Sequence, residues 1–171
     1  RLGTNPQEFA LHTTGTLTLV FLLLSLAVTP LRKMLGLPWM VQFRRMLGLC
    51  AFFYGCLHLL AYTWFDKGFA FRAIVEDTLK RPFIFLGMLA FLIMVPLAVT
   101  SNDAAQRWLG TGWKTMQRMA WPAAILVLIH WAAMKDWGNW SPAAVHFGPL
   151  FALWGYRLWY WHLRQRAPAA P

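Results

Sequence analysis

Two histidines stand inside apolar runs of this chain, His58 within YGCLHLLAY and His130 within ILVLIHWAAM. An ionisable side chain in a hydrocarbon-length segment is expensive and by default marks function. The plainer alternative is a neutral imidazole satisfied by a backbone carbonyl. Depth distinguishes this pair from that alternative. His58 lies twelve residues after Met46, and His130 eleven residues after Met119. Both segments run in the same direction, so helical rise puts the imidazoles ~18 Å and ~16 Å from their starting ends. Two neutral imidazoles level with one another, on different helices, are a donor set for one metal ion gripped from opposite sides.

The type of metal follows from what else is present. A structural zinc ion wants four ligands, and the segments that carry His58 and His130 contain no Asp or Glu. The same lack of acidic groups disfavours a proton-relay transporter. Iron in a porphyrin needs only two axial donors and a broad apolar slot between helices. The expectation is therefore haem b, with His58 and His130 as metal ligands. Phe52, Phe53, Tyr54, Trp64, Trp121 and Trp131 are candidates to line the slot. With both axial positions filled, no site remains for O2, and such iron passes electrons. His12 falls at the mouth of the first segment, within reach of a haem propionate or an extra ligand role. His146 and His162 read as interfacial residues. Cys50 and Cys56 lie on different sides of one helix, about 240° apart, which disfavours a disulfide. They match no zinc pattern either.

Five hydrophobic segments must position these residues: about 13–30, 46–65, 82–100, 119–134 and 143–163. Each is near the ~17–25 residues of a spanning helix, the fourth being the shortest unless it extends back through WKTMQR. Backbone groups in hydrocarbon must be satisfied within the segment, so helix is the expected state. The chain is 58% hydrophobic and 13% charged, against about 25% charged in soluble domains. The fold class expected is all-α: a polytopic membrane helix bundle, one domain over residues 1–171, with five transmembrane helices. Pro96 and Pro122 are expected to bend their helices, and Pro30 to sit at a helix end. The net charge of +10 lies in short loops that meet lipid headgroups, with no basic face for nucleic acid. Nine Lys and Arg flank one side of the membrane against six on the other. This places the loops after the first and third segments, and the C-terminus, in the cytoplasm.

The ordered series HTTG (12–15), TPLR (29–32), RRMLGL (44–49), LHLLAY (57–62), RPF (81–83) and VTSNDAAQRWLG (99–110), followed by His130, resembles the MsrQ (YedZ) family of the ferric-reductase-like transmembrane group. The resemblance covers almost the whole chain. It implies six membrane helices in all, one of them ahead of Arg1. It implies a bacterial inner-membrane subunit with haem b and FMN. Such a subunit takes electrons from the quinone pool or a cytosolic flavin reductase. It hands them to a periplasmic molybdopterin reductase, MsrP, which repairs methionine sulfoxide in oxidised proteins. His58 and His130 match the family's haem-ligand positions, and His12 a histidine at the head of its second helix. Thirteen residues before His130, where family members carry a further histidine, this chain has Gln117. Glutamine is a poor haem ligand, so one haem on the outer side is expected.

Arg44, Arg45 and Arg107 are candidates to pair with an FMN phosphate, since guanidinium binds phosphate in a bidentate manner. Their plainer role is topology and headgroup contact. No Gly-rich nucleotide loop is present, and no side chain is expected to do acid–base catalysis. Two other readings stay open at this stage. One is the haem subunit of a ferric or cupric reductase, and the other is a non-redox transporter or assembly subunit with structural histidines. The connection 66–82 is expected to be a surface loop on the outer side and a candidate docking surface.

Overall fold

The computed structural model describes residues 5–134, 148–149, 151–160 and 162. Among them the regular elements are helical, with no strand. Helix α1 (Pro6–Leu35) opens on Asn5, whose side chain accepts from the backbone N–H of Gln7 and Glu8, with Pro6 at its first position. Such a cap satisfies donors that a helix start leaves orphaned. The helix closes on Gly36, whose φ of 66° is left-handed. It thus runs past Pro30, which lies inside it and is buried, rather than ending there. A 3₁₀ turn (Pro38–Met40) leads into α2 (Val41–Ala61), which continues through a π-turn, Tyr62–Asp66.

The connection expected as a loop contains a helix, α3 (Phe71–Lys80). Its apolar residues Phe71, Val75 and Leu79 recur every fourth position and are exposed. On a second stripe Glu76 bridges Arg72 and Lys80. That spacing is amphipathic helix, not loop. Helix α4 (Pro82–Val99) follows, then the short α5 (Asp103–Leu109) and α6 (Thr111–Gln117), then α7 (Ala120–Met134). The backward extension of the fourth segment does not occur. Arg118 and Met119 make a turn between α6 and α7, bonding back to Thr115 and Met116. Pro122 falls in the first turn of α7, where its missing N–H costs nothing, instead of in a bend. Pro96 lies inside α4.

Among the described residues, three helical stretches are long and apolar enough to cross a membrane: Pro6–Leu35, Pro38–Asp66 and Pro82–Val99. Helix α7, with 15 residues, is shorter. Of the fifth expected segment, residues 151–160 are helical. Residues 148–149 and 162 are helical too, and its other positions, His146 included, lie outside the described residues.

Helix α1 packs along α2 and α4 along α7, and the two hairpins meet through α1–α7 and α2–α4 contacts. Ala51, Ala90 and Ala123 are fully buried where they meet. Small residues let backbones approach closely, which is how helices gain packing where lipid is as apolar as their side chains. Leu19, Leu22 and Leu26 of α1 and Leu128 of α7 fill the space between. The hairpins correspond to each other. A shift of 72 positions maps Ala51 onto Ala123 and His58 onto His130.

At the end of the bundle carrying α3, Asp77 ties three elements together. It accepts from Tyr62 Oη at 2.9 Å and Lys67 Nζ at 2.8 Å, and forms an ion pair with Arg81 Nε at 3.0 Å. Its side chain is 12% exposed. The bond to Lys67, chiefly, holds its carboxyl below the usual carboxylate range, against the opposing effect of desolvation. A carboxyl depressed by folding stabilises above its unfolded pKa, and that stabilisation is lost as pH falls through the folded value. Protease protection of the connection 66–82 is therefore expected to drop as pH falls below about 4. Asp77→Asn should weaken protection at neutral pH and flatten this acid dependence. An unchanged acid profile in the variant would rule Asp77 out as the group responsible.

Candidate metal centre

His58 projects from α2 and His130 from α7 into one cavity of about 250 Å³ between the hairpins. Their ring centroids are 6.1 Å apart and their planes cross at 77°. A metal–imidazole bond is about 2 Å, so two imidazoles on opposite sides of one metal ion have centroids roughly 6 Å apart. The observed spacing is that of such a pair.

Each ring is oriented by a carbonyl of the neighbouring helix. His58 Nδ1 bonds the Leu11 carbonyl of α1 at 3.0 Å, and His130 Nδ1 bonds the Phe83 carbonyl of α4 at 2.6 Å. A carbonyl only accepts, so Nδ1 carries the proton and donates. Nε2 is left with its lone pair for a metal, the arrangement that fixes a ligating histidine's tautomer. Both partners lie 47 residues before their histidine.

Two glycines make room for the rings. A Cβ on Gly15 would lie 3.0 Å from Nδ1 and Cε1 of His58. A Cβ on Gly87 would lie 2.8 Å from Nδ1 of His130. The same 72-position shift carries Leu11, Gly15 and His58 onto Phe83, Gly87 and His130. Each hairpin thus supplies an imidazole, a carbonyl to orient it and a glycine seat. The sequence reading missed both glycines. The available signal was a glycine in an apolar helix at the same distance before each histidine.

Among the described residues, no three or more His, Cys, Asp or Glu side chains group together as a metal site. Two lone imidazoles suit a metal whose remaining donors come with it, as in a porphyrin. The cavity walls are apolar, with Met88, Phe91, Val127 and Trp131 among them. Of the aromatic residues expected to line this slot, Trp131 does so. Phe52 stacks instead on Phe91 and borders a second cavity. Tyr54 stacks on Phe21, Phe53 and Trp64 are exposed, and Trp121 lies beneath the Arg157 guanidinium. His12 lines the same cavity as His58 and sits 3.6 Å from Glu8. His162 lies in an exposed helical position and lines neither cavity.

At the opposite end of the bundle a cavity of about 730 Å³ is bordered by Ser25, Arg44, Arg45, Trp113 and Gln117. Arg45 is paired with Asp103 of α5, and the Gln117 amide donates to the Leu97 carbonyl at 3.1 Å. The 72-position shift maps Arg45 onto Gln117. At the level where the other end has two histidines in register, this end therefore has neither. Arg44 and Arg45 come together here, whereas Arg107 is exposed on α5 and lines neither cavity.

Comparison with known proteins places this geometry in context. Residues 14–129 match the model of the ferric reductase like transmembrane component. The chain is 41% identical over 162 residues to the protein-methionine-sulfoxide reductase heme-binding subunit MsrQ of Ralstonia nicotianae, covering 94% of this chain and 75% of that protein. It is 42% identical over 167 residues to the protein of the same name from Bordetella pertussis, covering 97% and 81%. A third, from Azospira oryzae, is 50% identical over 131 residues, covering 76% of this chain and 56% of that protein. No solved structure matches.

Proposed function

Since this chain belongs to the MsrQ family of haem-binding membrane subunits, within the ferric reductase like transmembrane group, we propose that it is a haem b electron conduit of a protein-methionine-sulfoxide reductase system. The single observation that supports it most is the pair of imidazoles 6.1 Å apart, each held by a carbonyl with its Nε2 left bare. Haem held there supplies a one-electron ferric/ferrous couple. His58 and His130 would hold its iron, Gly15 and Gly87 let the rings approach their helices, and the largely apolar walls would exclude water. The chain's own contribution is to bind, orient and keep dry.

The membrane is the bacterial inner membrane, with α3 and the histidine cavity at the periplasmic end. The electron acceptor is a soluble molybdopterin reductase of the MsrP type, docking near the connection 66–82. Electrons enter at the other end, from quinol or from a cytosolic flavin reductase. The cavity bordered by Arg44 and Arg45 is the place for FMN, with its phosphate against guanidinium. Arg107, on the adjoining α5, belongs to the cytoplasmic surface of that end.

Protein purified in detergent is expected to be red, with a b-type α-band in its reduced-minus-oxidised spectrum. Reduced protein mixed with the soluble reductase and a methionine sulfoxide peptide should reoxidise with formation of methionine. A band that appears but does not reoxidise under those conditions would sink the conduit reading.

A further inference from the structure

We infer that Arg81 receives a carboxylate of the macrocycle bound between His58 and His130, and so fixes which way round it sits. This rests on the haem reading above. The two hairpins are equivalent at the metal, but they are not equivalent at the mouth of the cavity. Under the 72-position shift Arg81 corresponds to Phe9, His12 to Ile84 and Tyr62 to Met134. At each of these pairs one position is polar and its counterpart apolar, so the polar groups at the mouth have no mirror set in the other half of the site. A haem has two carboxylates along one edge and hydrocarbon along the others, so a mouth whose polar groups break the symmetry of the two hairpins discriminates between its orientations.

Within that polar edge most groups are already committed. Tyr62 donates to Asp77, and Asp66 is paired with Lys67 at 3.1 Å. Lys67 is bracketed by Asp66 and Asp77 and is 16% exposed. Arg81 differs from these. It lines the cavity, its side chain is 55% exposed, and Asp77 engages only its Nε. A guanidinium has five N–H donors, so the two terminal nitrogens stay available in a planar fork that matches a carboxylate.

The position is also held in place. Asp77 is fixed from three sides, so the ion pair at Nε holds the guanidinium at the mouth of the cavity. The backbone of Arg81 is extended, φ −113° and ψ 103°, as the residue before Pro82 must be. Asp66 and Asp77 would repel a propionate if bare, but both are compensated by the cations named above.

The test compares release of two macrocycles to excess apomyoglobin from the purified chain. With native haem, Arg81→Gln is expected to speed release by about 10- to 100-fold, the range for one charged hydrogen bond. Arg81→Lys, which keeps the charge and loses the fork, should fall between the two. With iron protoporphyrin dimethyl ester, whose carboxylates are blocked, wild type and Arg81→Gln should release alike. Arg72→Gln, on the exposed stripe of α3, is the control and should change nothing. Equal acceleration with the ester would show a purely structural role and overturn the inference, as would no acceleration with native haem. A wild-type chain that takes up no haem removes the underlying reading together with this one. A b-type band that needs both histidines while Arg81→Gln is silent removes only this one.

Discussion

Alanine at His58 or at His130 is expected to abolish the b-type α-band, each substitution alone sufficing. The two rings face one cavity from opposite hairpins, so in the proposed haem site each would supply one of the two protein ligands. Removing one would leave the other imidazole, its Nδ1 still bound to a carbonyl, to hold the haem alone. Loss of haem by about tenfold or more is the smallest effect anticipated, since even disturbing the groups behind a metal ligand costs 10–100-fold. The alanine variants should still insert and fold. The rings lie in a cavity, and the packed layer of Leu19, Ala51, Ala90 and Ala123 is elsewhere. His162→Ala should leave the spectrum intact, since that residue lines neither cavity. An α-band surviving in either His58→Ala or His130→Ala would exclude that residue as a ligand.

Gly87→Ala should be nearly as damaging although it removes no ligand. The added methyl would lie 2.8 Å from His130 Nδ1, closer than carbon and nitrogen can sit without movement. The neighbour is an imidazole tied to the Phe83 carbonyl at 2.6 Å, so the ring cannot step aside without giving up that bond. Overpacking of this kind costs about 1–3 kcal/mol. Here the strain is relieved by displacing the ligand, so it falls on the metal site. Haem affinity should drop by about 10- to 100-fold, with a changed α-band in whatever haem is retained. Gly15→Ala, at 3.0 Å from His58, should follow with a smaller loss. Gly48→Ala, away from the histidine cavity, gives the comparison. Its nearest neighbour is Ser25 Oγ at 3.5 Å, an ordinary contact, and haem content should stay near wild type. Equal haem retention in all three variants would mean that the glycines seat nothing.

The facing of His58 and His130 was legible because of where they stand. A histidine in hydrocarbon is rare enough to be noticed, and two at one depth on parallel segments are placed to meet. His12, reached by the same reasoning, lines the same cavity. The arginine group was only half legible. Arg44 and Arg45 are neighbours in sequence and share a cavity, whereas Arg107 sits on a separate short helix whose direction nothing in its composition announces. The aromatic wall was misjudged for a similar reason. In a membrane helix, lipid-facing and core-facing positions are equally apolar, so no periodicity tells which ring points at the cavity. Trp131 points there, while Trp64 and Phe53 face outward.

The amino-acid sequence by itself determined that the apolar runs are helices, because only a helix satisfies its own backbone in lipid. It also determined that two imidazoles lie at one depth, because helical rise is constant. The correspondence of the two hairpins was hidden in it. Between 45–62 and 117–134 the identities are Ala51, His58 and Ala61 with Ala123, His130 and Ala133, and past the first two pairs, Arg45 with Gln117 and Met46 with Arg118, the other positions interchange mostly apolar residues. Only the tertiary structure decided that Leu11 and Phe83 offer the orienting carbonyls, that Gly15 and Gly87 seat the rings, and that Asp77 leaves Arg81 with a free fork at one edge. These depend on how close and at what angle the helices cross. That is set by small residues at their contacts, and no single helix contains the information.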